Sequence, residues 1–508
     1  MRRLAGVSCV LALLLDGNSV RADDLPDPAA VRQHVIDASG TRPKIERMTI
    51  AYHAFGLDGT RVTLRDGDDF RETVKDGPFE TQRGSFHGQA WHQNANGQTV
   101  LDQPDPGLAS KDALVTSIAA ITAPITGYVV SALNKRGDGT KQYVDASTWR
   151  VVRREVISPT ATRTYAYDDF RTANGYTQAW HWTVRDGHAE NDADYRIIAD
   201  EAGAVTAAEL AIPAPRRNLV DFPANVSSVA LPVREERGQF IVRVNIGSRG
   251  LDMILDTGAS TIAVDEAVVR QLGLKTYGGV SNAANAGRYT STSAIVPEMK
   301  VGSLTLDDVV VDTIPHLGAD SPSDYKIVGL LGFDFIASLV LEFDYQAGTV
   351  TAFDPSSFAP PQDPLLNVLP VRLGNGQPMT DVSVNGALAE RFIVDTGAAG
   401  SVLIFDYFQR RHPEALVDVS GAPPDRVRYL GVGGGFEARR FVLASVKLGR
   451  VDFKRFPADA VSSSSAYGGS SDGLIGSEFL RLYTLYTDYQ NSLLYLVPNA
   501  LGRSAIGR

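Results

Sequence analysis

The sequence predicts a mainly β protein in which two copies of one duplicated unit follow a β-rich N-terminal region. Two repeated stretches and one alternating stretch carry that prediction. Met253-Ile254-Leu255-Asp256-Thr257-Gly258-Ala259-Ser260 returns as Phe392-Ile393-Val394-Asp395-Thr396-Gly397-Ala398-Ala399. Val328-Gly329-Leu330-Leu331-Gly332-Phe333-Asp334-Phe335-Ile336 returns 144 residues later as Asp472-Gly473-Leu474-Ile475-Gly476-Ser477-Glu478-Phe479-Leu480. Nearer the N-terminus, Met48, Ile50 and Tyr52 alternate with Arg47, Thr49 and Ala51, the period of two that marks a half-buried strand.

In each copy of the first repeat, three apolar residues of strand type run into a carboxylate, a hydroxyl and a glycine. That is how a buried strand ends in a hydrogen-bonded turn, leaving the carboxylate at the edge of a core. A lone Asp-Thr-Gly is weak evidence, because Asp and Gly are ordinary turn residues. The surroundings repeat as well. Leu231-Pro232-Val233-Arg234 precedes the first copy and Leu369-Pro370-Val371-Arg372 the second, while Gly247 and Gly386 each stand nine residues before their aspartate. Asp344-Tyr345-Gln346 answers to Asp488-Tyr489-Gln490, again at an offset of 144. Landmarks that recur in one order describe an internal duplication.

These motifs resemble the retropepsin-like aspartic peptidases, in which an apolar-apolar-Asp-Thr-Gly-Ala strand and turn is followed by an apolar-apolar-Gly strand ending in a short helix. The resemblance covers about residues 225–500, and Ala259 and Ala398 after the glycines fit the retropepsin pattern. Retroviral members are homodimers with one aspartate per subunit. This chain resembles a single-chain pseudo-dimer, which implies two retropepsin-like β-barrel halves forming a bilobal aspartic peptidase. It further implies that Asp256 and Asp395 are the catalytic pair, that Thr257 and Thr396 lock the two turns together, and that a peptide or protein is the substrate.

The chemistry of paired carboxylates agrees with that expectation. Two such groups held close cannot both ionise easily, so one proton is shared between them. The ionised member can take a proton from an intervening water while the other donates to a substrate carbonyl. Gly258 and Gly397 would let backbone approach the carboxylates. No metal and no cofactor is expected: the eight histidines show no His-Glu-x-x-His spacing. Gly469-Ser470-Ser471-Asp472-Gly473 spells a Gly-x-Ser-x-Gly elbow, but a strand and not a helix is expected after it. Two alternatives stand beside the peptidase: a non-catalytic peptide- or lipid-binding protein on the same fold, and a glycosidase, whose carboxylates would stand farther apart.

The chain reads in order as seven segments. Residues 1–22 have the form of a secretory signal peptide, with Arg2 and Arg3, an apolar run over 4–15 and Val20-Arg21-Ala22 as cleavage site, so a periplasmic or secreted protein is expected. Cys9, the only cysteine, lies inside that segment, which excludes disulfides and thiol chemistry from the mature chain. Without those residues 46 basic and 58 acidic side chains remain, net −12, a balance that argues against nucleic acid or an anionic membrane as partner.

Residues 23–212 form the β-rich N-terminal domain. Gly88-Gln89-Ala90-Trp91 and Val144-Asp145-Ala146-Ser147-Thr148 resemble the half-barrel of periplasmic lipoprotein carriers, which implies lipid or peptide binding there. A generic β-rich domain with Trp91 in its core accounts for the same residues. The apolar run 114–133 holds Pro124 and Gly127 near its middle and is expected to form a broken helix on the sheet, not a stable membrane span. A proline-rich linker at 213–224 leads into the first half, 225–355; a second linker, 356–365, leads into the second half, 366–498; and 499–508 is expected to be a disordered tail. Each half has a glycine-rich segment, 282–289 and 429–436, expected to form a hairpin flap with Gly287 in the first and Gly433 and Gly434 in the second.

Overall fold

The computed structural model describes residues 25–103, 114–123, 125–134, 137–158, 161–203, 205–284, 287–317, 326–374, 376–421, 425–431, 434–461 and 471–506. The expected signal segment, with Cys9, and the flap candidate Gly433 lie outside them.

Thirteen strands of the N-terminal region form one sheet. From Ile45–Ala54 at its centre the chain meanders outward to Thr99–Leu101 at one edge, then starts again at the other edge with Val115–Ile121. It meanders back until Ala193–Ala202 pairs antiparallel with the first strand. Met48, Ile50 and Tyr52 all point to the buried side, as the alternation requires. Helix Pro28–Ser39 starts where Asp27 accepts the Ala29 N–H and a proline occupies the first turn. It buries Val31 against Val130 and Val144. Trp91 is fully buried.

One expectation fails here. The described residues of 114–133, which leave out Pro124, form a hairpin, Val115–Ile121 against Gly127–Leu133, and not a broken helix. The run is rich in β-branched residues, among them Val115, Thr116, Ile118, Ile121, Val129 and Val130, which favour the pleated conformation over the helix. Among the described residues no helix is long and apolar enough to cross a membrane.

Each half of the remaining chain holds an eight-stranded sheet of the same topology. In the first half the central strand Arg249–Leu255 lies between Gln239–Ile246, antiparallel, and Ile327–Leu331, parallel. In the second, Ala387–Val394 lies in the same way between Gln377–Val384 and Gly473–Ile475. An added pairing of Gln239–Ile246 with Gly287–Val301, and of Gln377–Val384 with Gly434–Leu448, folds each sheet over on itself. Gly247 and Gly386 turn the hairpins ahead of the aspartates at φ of 58° and 89°, a left-handed conformation suited to glycine.

The halves share a six-stranded sheet whose middle pair, Val340–Asp344 and Tyr483–Asp488, comes one strand from each half. Leu341, Phe343, Leu485, Leu494 and Leu496 are fully buried around it, in a core that continues into both barrels. Burying each such side chain contributes about 1.5–3 kcal/mol, so the joint between halves is apolar core and not a hinge. The chain end also departs from expectation: Ala500–Ile506 is a helix. Asn499 caps it locally by accepting the Gly502 N–H at 3.1 Å, and Arg503 pairs with Asp363 at 2.6 Å, a tertiary partner that a terminal segment read alone does not reveal.

Candidate active site

The two Asp-Thr-Gly turns meet where the barrels face each other. The strands Arg249–Leu255 and Ala387–Val394 deliver Asp256 and Asp395, whose own N–H groups donate to Leu331 and Ile475 of the parallel neighbour at 3.1 and 2.9 Å. The glycine-containing second repeat therefore holds the first in place. Thr257 donates from its hydroxyl to the Val394 carbonyl at 2.6 Å and accepts the Thr396 N–H at 2.9 Å. Thr396 donates to the Leu255 carbonyl at 2.8 Å and accepts the Thr257 N–H at 3.1 Å. Both threonines are buried, so four hydrogen bonds join the halves in a dry, two-fold arrangement.

Gly258 and Gly397 lie so close to the opposite aspartate that a side chain at either would overlap its carboxyl group. Each carboxyl group is thus packed against the glycine of the other's turn, close enough for the two to act on each other. Asp256 accepts the Gly258 N–H at 2.8 Å, and Asp395 accepts those of Gly397 and Ala398, each at 2.9 Å. Burial pushes both acids above the usual carboxylate range, and the charge of Asp256 pushes Asp395 further. The backbone N–H groups pull each of them back. A pair so arranged holds one proton between them and titrates as a unit. Burial pushes up the phenols of Tyr345 and Tyr489 of the Asp-Tyr-Gln repeats, with the charges of Asp395 and Glu235 adding to it at Tyr345 and those of both aspartates at Tyr489.

A cleft of about 640 Å³ opens from Asp256 toward the first half. The first expected flap is a hairpin, Thr276–Ala284 against Gly287–Val301, with Gly287 at its turn and Tyr289 in the cleft wall. The second is a hairpin as well, Asp425–Gly431 against Gly434–Leu448, with Gly434 at its turn.

Two groups of residues escaped sequence reading. Gln239 and Gln377 reach across the two-fold arrangement, Gln239 donating to the Gly397 carbonyl and Gln377 to that of Gly258 at 2.6 Å. A Gly-Gln pair at 238–239 and again at 376–377 was the available signal. The second group comes from the N-terminal domain. Phe55, Leu57 and Phe79 form part of the cleft wall, and the turn at 94–98 is locked onto the first half. Asn96 both donates to the Val310 carbonyl at 3.0 Å and accepts its N–H at 2.8 Å, imitating a paired strand. Nearby, Arg217 donates to the carbonyls of Asp307 and Asp308.

The fold and this constellation define a tandem aspartyl-protease-like region. A family model described as aspartyl protease matches two segments, residues 242–335 and 380–479, one in each half and each containing one Asp-Thr-Gly. No curated protein matches the chain.

Proposed function

We propose that the protein is an aspartic endopeptidase that hydrolyses peptide bonds with a water activated between Asp256 and Asp395. The observation that carries this reading is the packing of each carboxyl group against the glycine of the opposite Asp-Thr-Gly turn, on turns cross-bonded by Thr257 and Thr396. The ionised carboxyl takes a proton from the water, whose oxygen attacks the substrate carbonyl; the protonated carboxyl donates to that carbonyl oxygen as it gains charge. Collapse of the tetrahedral intermediate, with a proton passed to the leaving nitrogen, regenerates the shared-proton state. The buried, fixed N–H groups on the dyad supply the charge stabilisation. Carboxyl groups each seated against the opposite turn disfavour the arrangement of glycosidases, which place a sugar ring and water between carboxyls roughly 5 Å or more apart.

The substrate would lie extended beneath the two hairpins, with side chains in the cleft. The N-terminal domain contributes a wall to that cleft in this reading. Lipid or peptide binding on its own sheet is a separate proposal, as is export to the periplasm or beyond, which rests on the sequence of residues 1–22. Asp256→Asn and Asp395→Asn, each assayed on a mixed peptide library with and without a statine-type inhibitor, test the reading. Each should lose at least about a hundredfold in turnover while remaining folded, with thermal unfolding no lower than that of the unmodified protein. Full turnover in either single variant is incompatible with a shared dyad.

A further inference from the structure

The duplicated halves treat one equivalent acid differently. In the second half Asp459, 1% exposed, receives a two-point ion pair from Arg440, at 2.9 and 3.0 Å, and a hydrogen bond from the Tyr429 hydroxyl. Arg440 and Asp459 face each other across adjacent strands. At an offset of 147 residues, Ser293 and Asp312 face each other across the matching strands of the first half. Serine thus stands where the second half has its arginine, and Asn282 stands where it has Tyr429.

Asp312 is left with hydroxyl donors only, Ser293 at 3.0 Å and Thr261 at 3.2 Å. Among the described residues no Lys, Arg or His pairs with it. Burial pushes it above the usual carboxylate range, as expected of an acid without a cation. Asp312 lines the cleft that also contains Asp256, and so do Asp76 and Asp334, while among the described residues no basic side chain lines it. Tyr289 and Phe79 add aromatic faces to the same walls, and so does Tyr277, whose ring the Lys275 ammonium already approaches at 4.6 Å. An alkyl stem with a cationic head fits such a space twice over, through apolar packing along the stem and through the ring faces and carboxylate at the head.

Resting on the peptidase reading, we infer that the first-half cleft accepts a lysine or arginine side chain of the substrate, with Asp312 as its counter-charge. The substrate then supplies the cation that Arg440 supplies within the second half. Asp312 acts as a specificity-determining residue and takes no part in the proton transfers. A substrate arginine would meet a carboxylate already oriented by two hydroxyls, the geometry that favours charge-assisted pairing.

The test is a set of peptides identical except for Lys, Arg, Leu or Gln at each position in turn, cut by the full-length protein. At one position kcat/KM for Lys and Arg should exceed that for Leu and Gln by about tenfold or more. The ratio should fall to near one in Asp312→Asn, and also in Ser293→Arg, which gives the first half the internal pair of the second and keeps the test alive if the former misfolds. Equal kcat/KM for all four residues at every position, or a ratio unchanged in both variants, overturns the inference. If no peptide is cut, the hydrolase reading fails separately. Calorimetric binding of the same peptides to Asp395→Asn then decides this one: tighter binding of the Lys peptide than of its Leu counterpart sustains it, and equal binding overturns it.

Discussion

Asp334 and Glu478 occupy the same place in the two halves, the second residue of the short helices Phe333–Ile336 and Ser477–Leu480. Asp334 is 3% exposed, accepting the Ile262 N–H at 3.1 Å and an Asn94 amide hydrogen at 2.8 Å, whereas Glu478 is exposed. The two hairpins differ in the same sense. The Gly279 N–H in the first hairpin donates to the Phe55 carbonyl at 2.8 Å, and Asn191 bonds both backbone groups of Ser281. The hydrogen bonds described for the second hairpin's strand Asp425–Gly431 run to its own partner strand and to Asp459, all inside the second half. Near the dyad the halves are close copies, because each turn is the hydrogen-bond partner of the other and neither can change alone. Farther out they diverge, because on one half the N-terminal domain has replaced solvent.

The inner symmetry can be broken deliberately. Thr257→Val removes the acceptor for the Thr396 N–H and the donor to the Val394 carbonyl; Thr396→Val removes the equivalent pair. Valine matches threonine in shape, so each change leaves two buried backbone groups without partners at little packing cost. Each should destabilise by about 2–4 kcal/mol. Chemical unfolding of both variants should give costs within about 1 kcal/mol of each other, the tolerance expected for equivalent but not identical sites. A much larger gap would mean that one turn holds the other and the two-fold description is wrong.

That symmetric shell was also what the sequence made legible. Asp256, Thr257, Gly258 and their copies are neighbours in the chain, and the chemistry asks for those residue types at fixed local spacing. Gln239 and Gln377 repeat too, yet Gly-Gln also occurs at 88–89 and 97–98, so that pair does not stand out. Asn96 meets Val310 across 214 residues, and no local pattern announces such a contact. In residues 114–133 length and apolarity pointed to a helix, while the β-branched content, with an exposed face from pairing at the sheet's edge, decided for strands. The terminal helix depends on Asp363 and Gln346, both contributed by distant segments.

The outer asymmetry predicts a smaller, pH-dependent effect. Burial pushes Asp334 up to about 6 from an ordinary value of 3.8. A carboxyl raised on folding contributes stability that is complete below its unfolded pKa and is lost as the pH rises through the folded one. The window is therefore about pH 4 to 6, and a shift of about two units is worth at most ~3 kcal/mol. Asp334→Asn mimics the protonated form but gives up one acceptor, so a net gain of about 1–2 kcal/mol is expected above pH 6, fading toward pH 4. Thermal unfolding across that range checks it. Glu478→Gln, at the exposed equivalent, should run parallel to the unmodified protein, and a matching gain there would show that burial under the N-terminal domain is not the cause.

The smallest effect concerns the hairpins. Asn191 completes a two-bond ladder with Ser281, donating at 3.1 Å and accepting at 2.8 Å, and its side chain also reaches Asp186. A hairpin held at its outer strand should open less often than one held only by its own half. Backbone amide exchange reads that difference directly, since protection scales with the free energy of local opening. In the unmodified protein the Ser281 and Gly279 amides should exchange more slowly than amides in the strand Asp425–Gly431. Asn191→Ala should speed exchange at Ser281 by about fivefold, the equivalent of about 1 kcal/mol, and leave the second hairpin as it was. If the first hairpin already exchanges as fast as the second, the N-terminal domain covers the cleft without restraining it, and substrate entry is as open on that side as on the other.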